Sequence, residues 1–175
     1  LTVYAGVGNT NSPSHGIWRT TNGGANWTHL TNGLPPGTNQ GRISLRINSV
    51  NHNTVYALIA DLYSTIGLYR SYDAGNTWNF VNGTEIVSYQ GWYAKGLWIS
   101  TNDTSRLMFG GVQVFRSDDN GNNIFRVSNI NFQTDYIHVD IHDIVANPLD
   151  PDMLYVLTDG GLYRSDDFGD SYYAC

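Results

Sequence analysis

The sequence predicts an all-β fold of repeated four-stranded antiparallel sheets. Three observations predict it: a recurring octapeptide, a recurring set of short strands around it, and a composition suited to strands and tight turns. The octapeptide occurs as TTNGGANW (20–27), SYDAGNTW (71–78), SDDNGNNI (117–124) and SDDFGDSY (165–172), with starts 51, 46 and 48 residues apart. That period suits one four-stranded blade of a β-propeller, whereas a helical repeat of the same length would need amphipathic helices that the chain does not contain. Of the 175 residues, 13% are aromatic and only 14% charged, with Gly and Asn abundant, which favours strands joined by turns over helix or disorder.

The strands can be placed relative to the octapeptide. Each copy follows an aromatic and an arginine: Trp18-Arg19, Tyr69-Arg70, Phe115-Arg116 and Tyr163-Arg164. Upstream of each lies an apolar stretch with an aromatic, at 2–6, 54–58, 106–111 and 153–157, and the three full intervals add an earlier strand around 45–47, 97–99 and 144–146. An inner strand, the aromatic one, the one ending in arginine and the one after the octapeptide make four. On this reading the repeats occupy 1–32, 42–83, 94–131 and 138–175. The first lacks its inner strand and the last its outer one, so the chain is expected to be a segment of a larger propeller of roughly six to eight blades.

The octapeptide reads as the hairpin turn between third and fourth strands. Its third residue (Asn22, Asp73, Asp119, Asp167) accepts hydrogen bonds from turn N–H groups, and its fifth (Gly24, Gly75, Gly121, Gly169) takes a positive φ. The leading hydroxyl (Thr20, Ser71, Ser117, Ser165) bonds locally, and the last side chain (Trp27, Trp78, Ile124, Tyr172) is expected to pack over the turn. Asn22, Ile124 and Tyr172 depart from the strictest form, which predicts a tighter staple in the second repeat. A repeated motif serves repeated structure more often than catalysis or calcium binding.

This pattern resembles the Asp-box or BNR repeat of sialidases, sortilin-type receptors and xyloglucan-degrading propeller enzymes. The segments 90–93, 109–121, 138–144 and 154–169 are similar to those of large secreted BNR propellers of Bacteroidota-like bacteria. The resemblance implies a secreted or cell-surface protein; because these families share the box and little else, it implies location better than activity. Where such proteins often carry an acidic residue after Gly-Trp-Tyr, this chain has Ala94.

Charge and composition narrow the partners. A net charge of −6 spread along the chain, with Lys95 the only lysine, disfavours nucleic-acid phosphate and anionic lipid. No apolar run approaches the ~20 residues of a membrane-spanning helix. Cys175 is the sole cysteine, so no disulfide closes within the segment.

Propeller ligands generally bind at a central funnel opposite the box turns. The connections 33–41, 84–93 and 131–138, with the loops 9–15, 60–66 and 158–161, are expected there. Trp92, Tyr93, Tyr63 and Tyr136 are candidate stacking platforms, with His138 beside them, because flat aromatic faces pair with the C–H faces of sugars. Alternation along one strand would put His138, Asp140 and His142 on one face, a set able to hold a metal ion only if the strand bends or bulges, and otherwise a hydrogen-bonded polar cluster. Asp61, Asp140 and Asp159 map near the funnel and are the candidate carboxylates for glycoside hydrolysis.

Sialidase chemistry is disfavoured: Arg19, Arg70, Arg116 and Arg164 sit at equivalent repeat positions, which marks them as scaffold, and Glu85 is the only glutamate available to a Tyr-Glu pair. Asn26, Asn82 and Asn102 head glycosylation sequons. The leading expectation is an extracellular propeller that needs no cofactor and binds a glycan or surface protein. A glycoside hydrolase with paired carboxylates and a structural component of a surface layer or appendage are the alternatives.

Overall fold

The computed structural model describes residues 1–8, 14–37, 41–93, 96–129 and 136–175. Four antiparallel sheets follow one another along the chain. Unit 1 holds β1 (Val3–Val7), β2 (Gly16–Thr20) and β3 (Thr28–Leu30), and unit 2 holds β4 (Ile43–Ile47), β5 (Val55–Ala60), β6 (Thr65–Ser71) and β7 (Asn79–Asn82). Unit 3 holds β8 (Gly96–Ile99), β9 (Leu107–Gly110), β10 (Val114–Ser117) and β11 (Phe125–Arg126). Unit 4 holds β12 (Ile141–Asn147), β13 (Asp150–Thr158), β14 (Gly161–Ser165) and β15 (Tyr173–Ala174), so the outer strand that the sequence reading expects this repeat to lack is present as a two-residue pair with β14. Within each sheet, strands pair in chain order.

Period-two alternation decides which face each strand residue serves. On β5, Tyr56 and Leu58 join a buried cluster with Leu97, Ile99, Leu107 and Phe109 of unit 3, while Val55, Ala57 and Ile59 join Ile17 and Leu30 of unit 1. The third cluster sets Met108 and Val114 of unit 3 against Ile144, Leu154, Val156 and Tyr163 of unit 4. The core is therefore three apolar layers between consecutive sheets, and each sheet is apolar on both faces.

The box is a corner built the same way four times. The leading hydroxyl donates to the third residue (Thr20 to Asn22 2.9 Å, Ser71 to Asp73 2.8 Å, Ser117 to Asp119 2.9 Å, Ser165 to Asp167 2.8 Å). The same hydroxyl oxygen accepts the N–H of the fifth residue (Gly24 3.0 Å, Gly75 2.8 Å, Gly121 2.9 Å, Gly169 2.8 Å). The third residue's Oδ1 accepts the N–H of the seventh, at 2.9 Å for Asn26, 2.8 Å for Thr77 and Asn123, and 2.9 Å for Ser171. The fourth and fifth residues both have positive φ in every copy. Thr20, Ser71, Ser117 and Ser165 are buried, so each of these hydroxyls satisfies turn groups that water cannot reach.

The closing side chain does not behave alike in all copies. Trp78 is buried and donates from Nε1 to Gly75 O at 3.0 Å, and Tyr172 is buried, but Trp27 is 42% exposed. It lies on the face of unit 1 that faces away from unit 2, where none of the three buried clusters of described residues extends.

Successive boxes are also tied together. Arg19 donates to Ala74 O (2.5 Å), Arg70 to Asn120 O (3.2 Å) and Arg116 to Phe168 O (3.2 Å): each of these three arginines reaches the carbonyl of the positive-φ fourth box residue in the next unit, while Arg164 pairs with Asp166 of its own box. This contact gives the recurring arginine a structural role.

Two outcomes test the corner. Ser71→Ala leaves the buried Gly75 N–H unpaired and should cost about 2 kcal/mol of unfolding free energy in denaturant titration. Gly121→Ala places a Cβ 2.4 Å from Leu68 Cδ2 at a φ of +88°, and should cost a similar amount, on the order of 2 kcal/mol.

Acid stability provides a further test. The Thr77 backbone N–H first, then the Thr77 and Ser71 hydroxyls, hold the Asp73 carboxyl below its ordinary range, and the Asn123 backbone and side chain do the same for Asp119. A depressed folded pKa means the stabilisation is complete above the unfolded value of about 3.9 and is lost as pH falls through the folded value. The melting temperature should thus drop below about pH 4, and Asp73→Asn should show a shallower acid drop than the parent.

Candidate functional site

The loop cluster lies at the ends of the sheets opposite the boxes: a box begins at the last residue of β6 and of β14, whereas the cluster is built from the turns that precede these strands. It joins the β5–β6 turn, the β7–β8 connection, the approach to β12 and the β13–β14 turn. The expected loops 9–15, 33–41 and 131–138 fall partly on residues 9–13, 38–40 and 130–135, which, with Ala94 and Lys95, lie outside the described residues.

The β7–β8 connection carries the aromatic pair. Val87 O accepts the Gln90 N–H at 3.0 Å and Gln90 O the Tyr93 N–H at 2.9 Å, which winds the segment into consecutive turns. Gly91 packs where a Cβ would stand 2.0 Å from Asp61 O, so only glycine lets the connection pass the β5–β6 turn. Arg42, at the start of unit 2, donates to Tyr93 O at 2.7 Å and fixes the segment from the other side. Trp92 is left 51% exposed, its ring 5.1 Å from Tyr93 and tilted by 41°.

Unit 4 supplies the polar half. Asp159 Oδ1 accepts the Tyr93 hydroxyl at 3.1 Å and lies 2.5 Å from His142 Nε2. An ionised carboxylate can only accept, so His142 Nε2 carries the proton. The His142 ring stands edge-on to Tyr93, with centroids 4.9 Å apart. The His142 hydrogen bond first, and the Tyr93 hydroxyl after it, hold Asp159 below the usual carboxylate range, and the bond to Asp159 pushes the Tyr93 phenol up. Trp92, Tyr93, His142 and Asp159 thus form one connected, solvent-facing group.

The other expected residues do not join this group in the expected way. The facial set of His138, Asp140 and His142 is not assembled, because β12 begins only at Ile141, after Asp140 with a φ of +67°, and a register shift between Ile141 and Asp143 displaces His142. His138 Nδ1 bonds to Val139 O at 3.0 Å. Among the described residues no three His, Cys, Asp or Glu side chains converge as a metal site.

Asp140 does stay in the cluster, its carbonyl accepting the Asp159 N–H at 3.3 Å and its Oδ1 buried without a hydrogen-bond partner among the described residues. Asp61 caps its own turn, accepting the N–H groups of Tyr63 (2.7 Å) and Ser64 (2.6 Å). Tyr63 is 61% exposed, and its carbonyl accepts the Tyr89 N–H at 2.6 Å. Tyr136 is no rim platform: it packs edge-on to Tyr163 beside the layer between units 3 and 4. Glu85 is occupied by Thr65 and Ser88, which removes the one glutamate from partnership with a tyrosine. Sequence reasoning missed Arg42, whose only signal was its position at the entrance to an inner strand.

No protein-family model matches the chain, and no curated protein does. Solved structures do. The GH74 xyloglucanase from Xanthomonas campestris superposes with a TM-score of 0.73 at 21% identity, over 98% of this chain and 28% of that one. The GH74 enzyme of Niastella koreensis gives a TM-score of 0.70 at 21% identity, over 99% and 27%. The extracellular domain of a two-component system protein from B. thetaiotaomicron gives 0.64 at 16%, over 94% and 20%. The chain has a β-propeller fold. Its four units are consecutive blades, and they span between a fifth and a third of the lengths of these propeller chains. At such identities the likeness establishes the fold alone.

Asp159→Asn removes the charge that the Tyr93 hydroxyl faces. Ultraviolet titration of the tyrosines should then show one phenol moving to lower pH, a change that the Tyr93→Phe background abolishes.

Proposed function

We propose that this chain is an Asp-box propeller that works outside the cytoplasm and binds a glycan at the rim formed by Trp92, Tyr93, His142 and Asp159. The observation that carries the reading is the half-exposed Trp92 ring standing beside a braced Tyr93 and an ionised acceptor. A flat apolar face next to hydrogen-bonding groups suits a sugar ring, whose C–H face stacks while its hydroxyls bond at the edge. A chain of net charge −6 with Asp140 and Asp159 at this rim favours neutral over anionic saccharides. Extracellular location is supported by the repeat itself and by the kinds of protein that share the fold, a xyloglucanase and an extracellular domain among them. A surface protein is the competing ligand.

The catalytic alternative, glycoside hydrolysis by paired carboxylates, draws on the adjacency of Asp140 and Asp159. Asp159, held ionised, suits the base or nucleophile, and Asp140 with its unpartnered oxygen would be the proton donor.

Affinity electrophoresis in gels containing neutral polysaccharides, xyloglucan first, tests the reading. The parent chain should be retarded, and Trp92→Ala should weaken binding about tenfold, with Tyr93→Phe less affected because the ring remains. Unchanged mobility of folded protein in every polysaccharide sinks the glycan reading. Release of reducing ends that Asp140→Asn and Asp159→Asn each abolish would instead favour the hydrolase.

A further inference from the structure

Among the fully described turns between second and third strands, that of blade 2 is the longest: residues 61–64 join β5 to β6, against 111–113 between β9 and β10 and 159–160 between β13 and β14. The longer turn carries Tyr63, and the connection that crosses it carries Tyr89. Both rings face solvent, Tyr89 being 81% exposed and Tyr63 61%. A feature repeated in every blade serves the scaffold, whereas added loop length that neighbouring blades do not share belongs to the face that varies and binds.

The backbone under these rings is held in place by the chain's one glutamate. Ser88 and Tyr89 have φ of +39° and +70°, the left-handed region that residues with a Cβ avoid, and such a pair persists only where its surroundings over-determine it. The Glu85 carboxylate accepts the Ser88 N–H at 2.8 Å and, across the gap to β6, the Thr65 N–H at 3.0 Å and the Thr65 hydroxyl at 3.1 Å. Thr65 Oγ1 in turn accepts the N–H of the buried Ile86 at 2.9 Å. The Tyr89 N–H donates to Tyr63 O at 2.6 Å, so the two tyrosines sit on hydrogen-bonded backbone. This bracing buries neither ring; what it fixes is where both stand at the surface.

Tyr89 and Trp92 are the third residues of consecutive turns, the first closed by the Gln90 N–H on Val87 O and the second by the Tyr93 N–H on Gln90 O. Three residues of chain keep their Cα atoms within about 11 Å of one another. The exposed rings therefore lie within the span of a short oligosaccharide. On the glycan reading of the rim, on which this step rests, we propose that Tyr63 and Tyr89 form a second stacking platform beside Trp92. Glu85 is its positioning residue, and the ligand is the interior of an extended neutral polysaccharide chain, not a terminal sugar. A small ligand bound at its end is taken into an enclosing pocket. Rings left 51% to 81% exposed instead offer one open face each and leave both ends of a bound chain free. Tyr and Trp present such faces at low cost in conformational entropy.

Titration calorimetry on the 175-residue chain compares a neutral polysaccharide, xyloglucan first, counted per repeating unit, with its single-repeat oligosaccharide. The parent should bind the polymer about tenfold more tightly than the single repeat. Tyr63→Ala with Tyr89→Ala should remove that advantage and leave single-repeat binding unchanged, whereas Trp92→Ala should weaken both ligands. Glu85→Ala should lose the advantage as the tyrosine variant does, and Glu85→Gln, which keeps one acceptor oxygen, should recover part of it. Equal affinity of the parent for the two ligands, or a tyrosine variant that matches the parent on polymer, overturns the second platform; the glycan reading then survives if Trp92→Ala still weakens binding. Loss of both ligands by a Glu85→Ala chain with unchanged far-ultraviolet circular dichroism overturns the positioning role. A folded parent that binds no neutral polysaccharide overturns both this proposal and the glycan reading.

Discussion

At the head of every box a hydroxyl oxygen, sealed from water, accepts an N–H from the turn while its proton goes to the third box residue. Those groups would cost free energy if left unpaired in the interior, so the hydroxyl, the carboxamide or carboxylate and the two positive-φ positions have to occur together. The corner then fixes where the third strand ends and the fourth begins. The fourth residue, turned left-handed, presents its carbonyl outward, and the arginine of the preceding blade takes it. A local turn thereby becomes an interblade contact, and the spacing between boxes sets the spacing between sheets.

The rest of the fold follows from alternation along strands whose two faces are both apolar. Each blade is incomplete alone and is stabilised by its neighbours, the condition of a quasi-one-dimensional repeat. Differences between copies are tolerated where a neighbour makes up for them. Blades 3 and 4 share a network in which Arg106 pairs with Asp152 and Arg116 with Asp118 and Asp170, and the Arg106 guanidinium lies 3.9 Å from the Phe168 ring centroid. Blade 2 has Tyr72 where blade 3 has Asp118, and there Arg70 stacks over that ring instead. These are different chemistries at one position, each giving the arginine a companion without disturbing its bond to the next box.

This division explains what could be read from residues alone. The boxes, the strand order and the scaffold role of the arginines were legible because their chemistry is local and repeated four times. The rim was less so. Loop position singles out Trp92 and Tyr93 as candidates, and the sequence singles out His142 and Asp159 for other partners: His142 for a metal set with His138 and Asp140, Asp159 for a carboxylate pair. What joined them was the bulge at His142, which depends on how β12 meets β13. Asp61 and Glu85 looked equally chemical, and only their neighbours in space reveal them as turn caps. Tyr136 faces the core because its ring packs edge-on to Tyr163 of blade 4, a contact that no spacing encodes. Trp27 breaks the expectation that a closing aromatic is buried, since burial there is supplied by another blade and not by the box.

The rim is therefore as good as the packing beneath it. Its backbone clamp, Arg42, comes from blade 2, the aromatic pair from the segment entering blade 3, and His142 and Asp159 from blade 4. Arg46 of β4 reaches Asp143 of β12 at 3.2 Å, bridging the inner strands of blades 2 and 4 one residue from His142. Because that pair is partly solvated, its contribution to stability is small, but its geometry ties the far wall of the rim to the near one. A displacement of blade 4 relative to blade 2 would move the shared acceptor Asp159 away from Tyr93, and with it the support that keeps Trp92 presented to solvent. The geometry of this face is thus coupled to the register between blades, which the boxes set at the opposite end of the molecule.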